Sequence, residues 1–156
     1  MGSALSIVLA DIVMNELICS TLNKIQYDIP FFKRYVDDII TAVPKNEINS
    51  FCNIFNTFHP KLQFTYEIEN DSREIDFLDI KIKINYDNSI TTLWCTKKTW
   101  SARYLNFNSF SSIKHKKNVV TAILDRAITF TDLQYRQAMI KKVYDIFLLN
   151  NYPIQF

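Results

Sequence analysis

Phe31-Phe32-Lys33-Arg34-Tyr35-Val36-Asp37-Asp38-Ile39-Ile40-Thr41-Ala42-Val43-Pro44 is the stretch from which the fold is read. Apolar residues flank two adjacent acids, and Pro44 stops the pattern. Neighbouring side chains of a straight strand point to opposite faces. Two acids gathered in one place therefore need a tight turn, so the segment predicts two short strands around an acidic hairpin tip. At about 4 Å, two unit charges repel by roughly 4 kcal/mol at an effective dielectric of 20. A shared cation removes that repulsion. Hard carboxylate oxygens suit Mg²⁺, which takes one or two carboxylates together with substrate phosphates. Asp37 and Asp38 are thus candidate catalytic and metal-binding residues for phosphoryl transfer. A solvated acidic turn is the plain alternative on these residues alone.

Working outward, Leu5, Leu9, Ile12, Val13, Leu17 and Ile25 recur at helical spacing and predict an amphipathic helix over about 5–25. Ile48, Phe51, Cys52, Phe55 and Phe58 predict a second helix, ended by His59-Pro60. Leu62, Phe64, Tyr66 and Ile68 alternate with polar residues, the signal of a half-buried strand. In the next strand pair the apolar parity switches at Phe77-Leu78, which predicts a bulge or sharp bend there. Ile90–Cys95 predicts a third strand of this meander. The last third reads as helical. Val119, Val120, Ile123, Leu124, Ala127 and Ile128 form one stripe, and Tyr135, Met139, Val143, Ile146 and Phe147 form the next. Thr131-x-x-Gln134 predicts a capping box, with Phe130 and Tyr135 as its hydrophobic staple. Two helices with a tight turn can be a helix-turn-helix, although most such pairs are packing units. The fold class is α+β.

At 156 residues, 48% hydrophobic and 14% aromatic, the chain can build a core of its own. Its single glycine leaves the turns to Asn, Asp and Ser, as in Asn70-Asp71-Ser72 and Asp87-Asn88-Ser89. Cys19, Cys52 and Cys95 are odd in number and lack zinc-site spacing, which implies free thiols and a reducing compartment, nuclear or cytoplasmic. No apolar run reaches 18 residues and the start lacks a basic n-region, so neither a membrane span nor a signal peptide is expected.

The net charge of +2 is unevenly spread. No Asp or Glu occurs from Asn88 through Leu124, where Lys97, Lys98, Arg103, Lys114, Lys116 and Lys117 are interleaved with Trp100, Tyr104 and Phe107. A basic, aromatic-studded stretch suits a nucleic-acid backbone, and its plain alternative is a solvated face. The change of composition near residue 96 marks the expected domain boundary, giving 1–95 and 96–156. Trp94 and Trp100 are expected to pack rather than stack on bases, His59 to sit in a turn, His115 to be a surface cation, and Asp11 to be solvated or paired.

Four stretches, spanning nearly the whole chain, resemble reverse transcriptases of the Penelope-like retroelements. Met1-Gly2-Ser3-Ala4-Leu5-Ser6 with Leu9-Ala10-Asp11-Ile12 resembles the motif entering the helix beneath the incoming nucleotide. Phe32-x-Arg34-Tyr35-Val36-Asp37-Asp38 resembles the catalytic hairpin, and Asp76-Phe77-Leu78-Asp79 the hairpin that grips the primer. Arg103-Tyr104-Leu105-Asn106 with Lys114-His115-Lys116, and the closing Asn151-Tyr152-Pro153, resemble the region downstream. The resemblance implies a partial polymerase palm (helix, catalytic β-hairpin, helix, antiparallel strands) followed by a helical thumb-like region. It implies deoxynucleotide addition to a DNA primer on an RNA template, with Mg²⁺ at Asp37 and Asp38. By the same resemblance Gly2, Ser3 and Tyr35 would lie by the nucleotide, and Phe77 and Leu78 would hold the primer. Lys97, Lys98, Arg103, Lys114, Lys116 and Lys117 would track the duplex backbone.

Two departures set limits. The family has prolines where this chain has Ala4 and Ile7. It also carries another metal-binding Asp and the fingers N-terminal to everything here, so the expectation is a fragment starting inside a motif, inactive alone and complete only with the missing N-terminal part. A non-catalytic nucleic-acid-binding remnant is the rival reading. Met1-Gly2-Ser3-Ala4-Leu5-Ser6 also fits a myristoylation pattern, read here as coincidence.

Overall fold

Two hairpins, each reversed by two residues, organise the chain. The computed structural model describes residues 4–97 and 99–156. They fall into two compact units, divided between Glu67 and Ile68. The division therefore lies at Glu67/Ile68 rather than at the composition change near residue 96, because the last strand of the meander packs into the helical core that follows it.

In the first unit, helix α1 (Ala4–Leu22) precedes strands β1 (Phe32–Tyr35) and β2 (Asp38–Thr41) and helix α2 (Ile48–Asn56). Phe55 of α2 is the centre of its small core. Its ring lies 4.8 Å from Phe51, 5.5 Å from Phe64 and 6.4 Å from Phe32. Aromatic packing thus joins the hairpin, α2 and the segment after it. Helix α1 forms as expected but ends three residues early, and its apolar stripe is not buried. Leu17 is fully buried and Thr21 nearly so, whereas Leu5, Leu9, Ile12 and Val13 are exposed, as are Ile7 and Val8. Apolar side chains on several sides of one helix leave no single face to bury. Although Asp11 and Glu16 interrupt any long apolar run, α1 is long and apolar enough to cross a membrane by length and composition.

The strand predicted over Leu62–Ile68 does not form; only an isolated bridge pairs His59 with Leu62. No strand among the described residues offers this segment a ladder. Asn56 takes the place of one: its Oδ1 accepts from the Phe64 N–H at 2.6 Å, and its Nδ2 donates to the Phe64 carbonyl at 3.1 Å.

In the second unit, β3 (Glu74–Phe77), β4 (Ile80–Ile84) and β5 (Ile90–Trp94) form an antiparallel meander, followed by helices α3 (Ile113–Thr129) and α4 (Arg136–Leu149). The parity switch is a full reversal at Leu78-Asp79, with Phe77 paired to Ile80. Trp94 is buried with Ile123 and Ala127 of α3, Val143, Ile146 and Phe147 of α4, and Tyr152. The expected capping box is absent. Buried Thr131 accepts the Trp94 N–H at 3.0 Å through Oγ1, and the Asp132 carboxylate accepts the Thr92 N–H at 2.7 Å. The Asp132 N–H donates back to the Thr92 carbonyl. The turn between the helices therefore covers the open edge of β5, the alternative to leaving that edge as a pairing template. Helix α4 begins after a 3₁₀ turn over Leu133–Tyr135, with no side-chain cap. Ser112, unremarked in the sequence, caps α3 by accepting the His115 N–H.

Asn150 closes this unit. Its Nδ2 donates to the carbonyls of Ala102 and Ile146, both at 2.8 Å, and its Oδ1 accepts the Tyr104 N–H at 2.9 Å. Its own carbonyl accepts the Phe107 N–H. Next to it Asn151, at φ 63°, supplies the left-handed residue of a Schellman end. Tyr152 N–H reaches the Phe147 carbonyl, and the two rings pack at 4.9 Å. Buried groups left unpaired cost about 1–3 kcal/mol each. Asn150→Ala is expected to lower the unfolding free energy by roughly 2–4 kcal/mol, measured by urea denaturation; a loss under about 1 kcal/mol would remove Asn150 from this role.

Candidate functional site

The acidic hairpin pairs Tyr35 with Asp38 across a two-residue turn made by Val36 and Asp37. Asp37 is thus in the turn, whereas Asp38 opens β2. Val36 has φ 56° and is 65% exposed. A β-branched residue at positive φ is a true outlier, costing about 1–3 kcal/mol unless its surroundings fix it. The fixing group is Arg34. Its Nη1 donates to the Val36 carbonyl at 2.7 Å, and its Nη2 bonds the Asp11 carboxylate and Asn15 Oδ1. Asp11 is therefore paired, and the Arg34 hydrogen bond, ahead of opposing desolvation, holds its carboxyl below the usual range. A depressed carboxyl pKa stabilises the fold above the ordinary carboxylate range and is lost as pH falls through the folded value.

Asp37 and Asp38 are exposed, and neither has an ion pair or side-chain hydrogen bond among the described residues. Their Cα atoms, joined by a trans peptide, lie about 3.8 Å apart. Free carboxylate oxygens match what Mg²⁺ accepts. Among the described residues, however, no three His, Cys, Asp or Glu side chains converge as a metal site. The tip thus offers two neighbouring exposed carboxylates and no third protein ligand among the described residues. Tyr35, beside it, is exposed, and Gly2 and Ser3 lie outside the described residues.

The second hairpin shares the two-residue turn with a positive-φ residue. Leu78 sits at φ 56°, and Asp79 beside it pairs with Arg126 of α3 at 3.3 Å, both half-exposed and therefore screened. Phe77 is half-buried and Leu78 just exposed. On the same sheet Lys81 bridges Glu74 and Asp76 at 3.4 Å each. Burial works to lower the Lys81 pKa, and the two acids outweigh it and raise it.

The basic stretch divides by burial. Lys97, Arg103, Lys114 and Lys117 are exposed, and Lys98 lies outside the described residues. Lys116, by contrast, is 6% exposed; its Nζ donates to the Ser109 carbonyl at 3.0 Å and lies 5.1 Å above the Phe107 ring. It is a packing cation, withdrawn from any phosphate. Trp100, Tyr104 and Phe107 also pack inward, with Tyr104 5.7 Å from both Trp100 and Phe147 and Phe107 5.3 Å from Tyr152. Helical periodicity marked Lys116 poorly, because a lysine stem can be buried while its charge is satisfied locally.

Residues 103–156 match the animal helix-turn-helix domain family. No curated protein and no solved structure matches the chain. Within the matched segment the first helix, α3, carries exposed Lys114, His115 and Lys117. On the second, α4, Lys141 is exposed while Lys142 lies 5.1 Å over the Trp94 ring. Sequence reasoning missed Arg34, Asn15 and Asn150. The readable signal for the first was Asp11, a charge on an otherwise apolar helix.

Val36→Gly removes left-handed strain of about 1–3 kcal/mol and adds unfolded-state entropy worth about 0.4–1 kcal/mol. The expected result is a raised melting temperature, despite the lost side chain. A fall by more than about 1 kcal/mol would show that the Val36 side chain itself stabilises the unit.

Proposed function

We propose that this chain is the C-terminal part of a Penelope-like reverse transcriptase, a palm remnant with thumb-like helices, which holds a primer–template duplex and carries part of a metal site. The observation that carries this reading is the exposed Asp37-Asp38 pair on a strained turn, with no cationic side chain paired to it among the described residues. An acidic tip without a paired lysine or arginine among the described residues, while Arg34, three residues before Asp37, pairs with Asp11 instead, favours an external cation. When bound, Mg²⁺ at such a site would activate the primer hydroxyl and stabilise the leaving pyrophosphate. Asp37 and Asp38 would hold it, Tyr35 would border the nucleotide, and Phe77 and Leu78 would support the primer strand. The exposed apolar flank of α1 supports the view that further protein covers this unit in the working polymerase.

The helix-turn-helix match favours a second reading, a DNA-binding module that performs no chemistry. Both readings require phosphate contacts from Lys97, Arg103, Lys114 and Lys117. With three or four phosphates neutralised, affinity for a duplex falls by about 40–150-fold between 50 and 200 mM salt. Fluorescence anisotropy with an RNA–DNA hybrid and with duplex DNA measures this. Lys114→Ala with Lys117→Ala is expected to reduce the salt slope by about two, while Lys116→Ala leaves the slope and lowers stability. Salt-independent binding, or none, defeats both readings. Primer extension with Mg²⁺ is expected to give no product from the chain alone, and clear synthesis would overturn the incomplete site.

A further inference from the structure

A single side chain holds the acidic turn of the first unit. The Val36 side chain is exposed and makes no packing that would keep its backbone left-handed. The restraint must come from a neighbour, and Arg34 is placed to supply it. Its side chain is 19% exposed, against 56% for the side chain of its partner Asp11. One nitrogen holds the Val36 carbonyl at 2.7 Å; the other is anchored to Asp11 and, at 3.0 Å, to Asn15. Asp11 and Asn15 are four residues apart on α1, hence neighbours on one face, and Asn15 Nδ2 donates to Asp11 at 3.3 Å. The anchor is therefore a braced pair on a rigid helix rather than one mobile acid.

We propose that Arg34 is a positioning residue: by fixing the Val36 carbonyl it locks the left-handed turn and so presents the Asp37 and Asp38 carboxylates together to a divalent cation. The cation half of this rests on the metal-binding reading of the turn. A planar fork satisfies three acceptors in fixed directions, whereas a lysine ammonium is a point charge on a flexible stem. Arginine here is a geometric requirement as well as a source of charge. The second hairpin differs: its Arg126 bonds the Asp79 carboxylate and not the backbone of strained Leu78. Of these two tight turns, the acidic one alone has the backbone carbonyl of its left-handed residue bonded by a guanidinium among the described residues.

The experiment is NMR on the ¹⁵N-labelled full chain with Mn²⁺ as the probe, reading the sign of the Val36 φ from couplings and the Mn²⁺ broadening of the Asp37 and Asp38 amides. In the wild type, Val36 is expected at positive φ with both amides broadened, and Asp37→Asn abolishes the broadening. Arg34→Gln is expected to let Val36 sample negative φ and to raise the Mn²⁺ concentration for half-broadening about 10-fold, the effect of losing an outer-shell support. Arg34→Lys restores neither property. If Arg34→Gln unfolds the unit, the double variant Asp11→Asn, Asn15→Ala keeps the arginine but frees it, and the same two changes are expected. An unchanged φ and unchanged Mn²⁺ affinity in either variant overturns the role of Arg34. Absence of broadening in the wild type instead overturns the cation half and the reading beneath it, while the φ measurement still decides the lock.

Discussion

The structure is built around a shortage of glycine. Six described residues, Val36, Arg73, Leu78, Asn88, Ala102 and Asn151, occupy the left-handed region, and none is glycine. A side chain in that region costs about 1–2 kcal/mol, so each position needs a tether that outweighs the strain. Arg34 holds the Val36 carbonyl, Asn150 holds that of Ala102, and the Schellman bonds hold Asn151. Arg73 donates to the Asn85 carbonyl and to Asn88 Oδ1, joining two strained residues across one hairpin end. Turn chemistry that glycine would supply for nothing is here supplied by arginine and asparagine side chains, which is why these residues, more than the apolar ones, fix the shape of the loops.

That substitution also explains what could be read in advance. Every α-helix was legible from the spacing of its apolar residues, although in α1 those residues fall on several sides and marked no face to be buried. All five strands were marked in the sequence, and one more was expected that does not form. The tight reversals were half-visible: acids showed where Asp37 sits, and a parity slip showed Leu78. Neither signal says that a valine or leucine will take the strained position, since no propensity rule favours it. The segment from Leu62 misled because alternation reports a half-buried surface, and a strand also needs a neighbour to bond. Thr131 misled for the opposite reason: its spacing to Gln134 fits a cap, but the hydroxyl finds a better partner in the Trp94 N–H, 37 residues away and outside any local rule.

The candidate site shows the same division between composition and geometry. A run of six cations reads as one surface in sequence, yet burial removes Lys116 and leaves Lys97, Arg103, Lys114 and Lys117 to solvent. Charge that is satisfied by a carbonyl and an aromatic face contributes to folding and is lost to binding. The acidic pair is the converse case. Asp37 and Asp38 have no ion-pair partner among the described residues, and the arginine nearest in sequence bonds backbone and Asp11 instead. Sequence proximity would have suggested an internal salt bridge, and only the fork's geometry separates the two outcomes.

The two units differ in how far they satisfy themselves, and the difference follows from their contacts. The second buries a continuous core from Trp94 to Tyr152 and covers the edge of β5 with the Thr131-Asp132 turn. The first leaves three kinds of surface open: apolar side chains along α1, carboxylates at the hairpin tip, and backbone after Leu62 without a ladder. A two-stranded hairpin is marginal by itself, and this one is supported by one aromatic cluster and one guanidinium. Stability is therefore unevenly divided, with local opening concentrated in the first unit. The acids thus sit on the less self-sufficient unit, where any cation, nucleic acid or protein surface that binds the folded form adds its binding energy directly to folding.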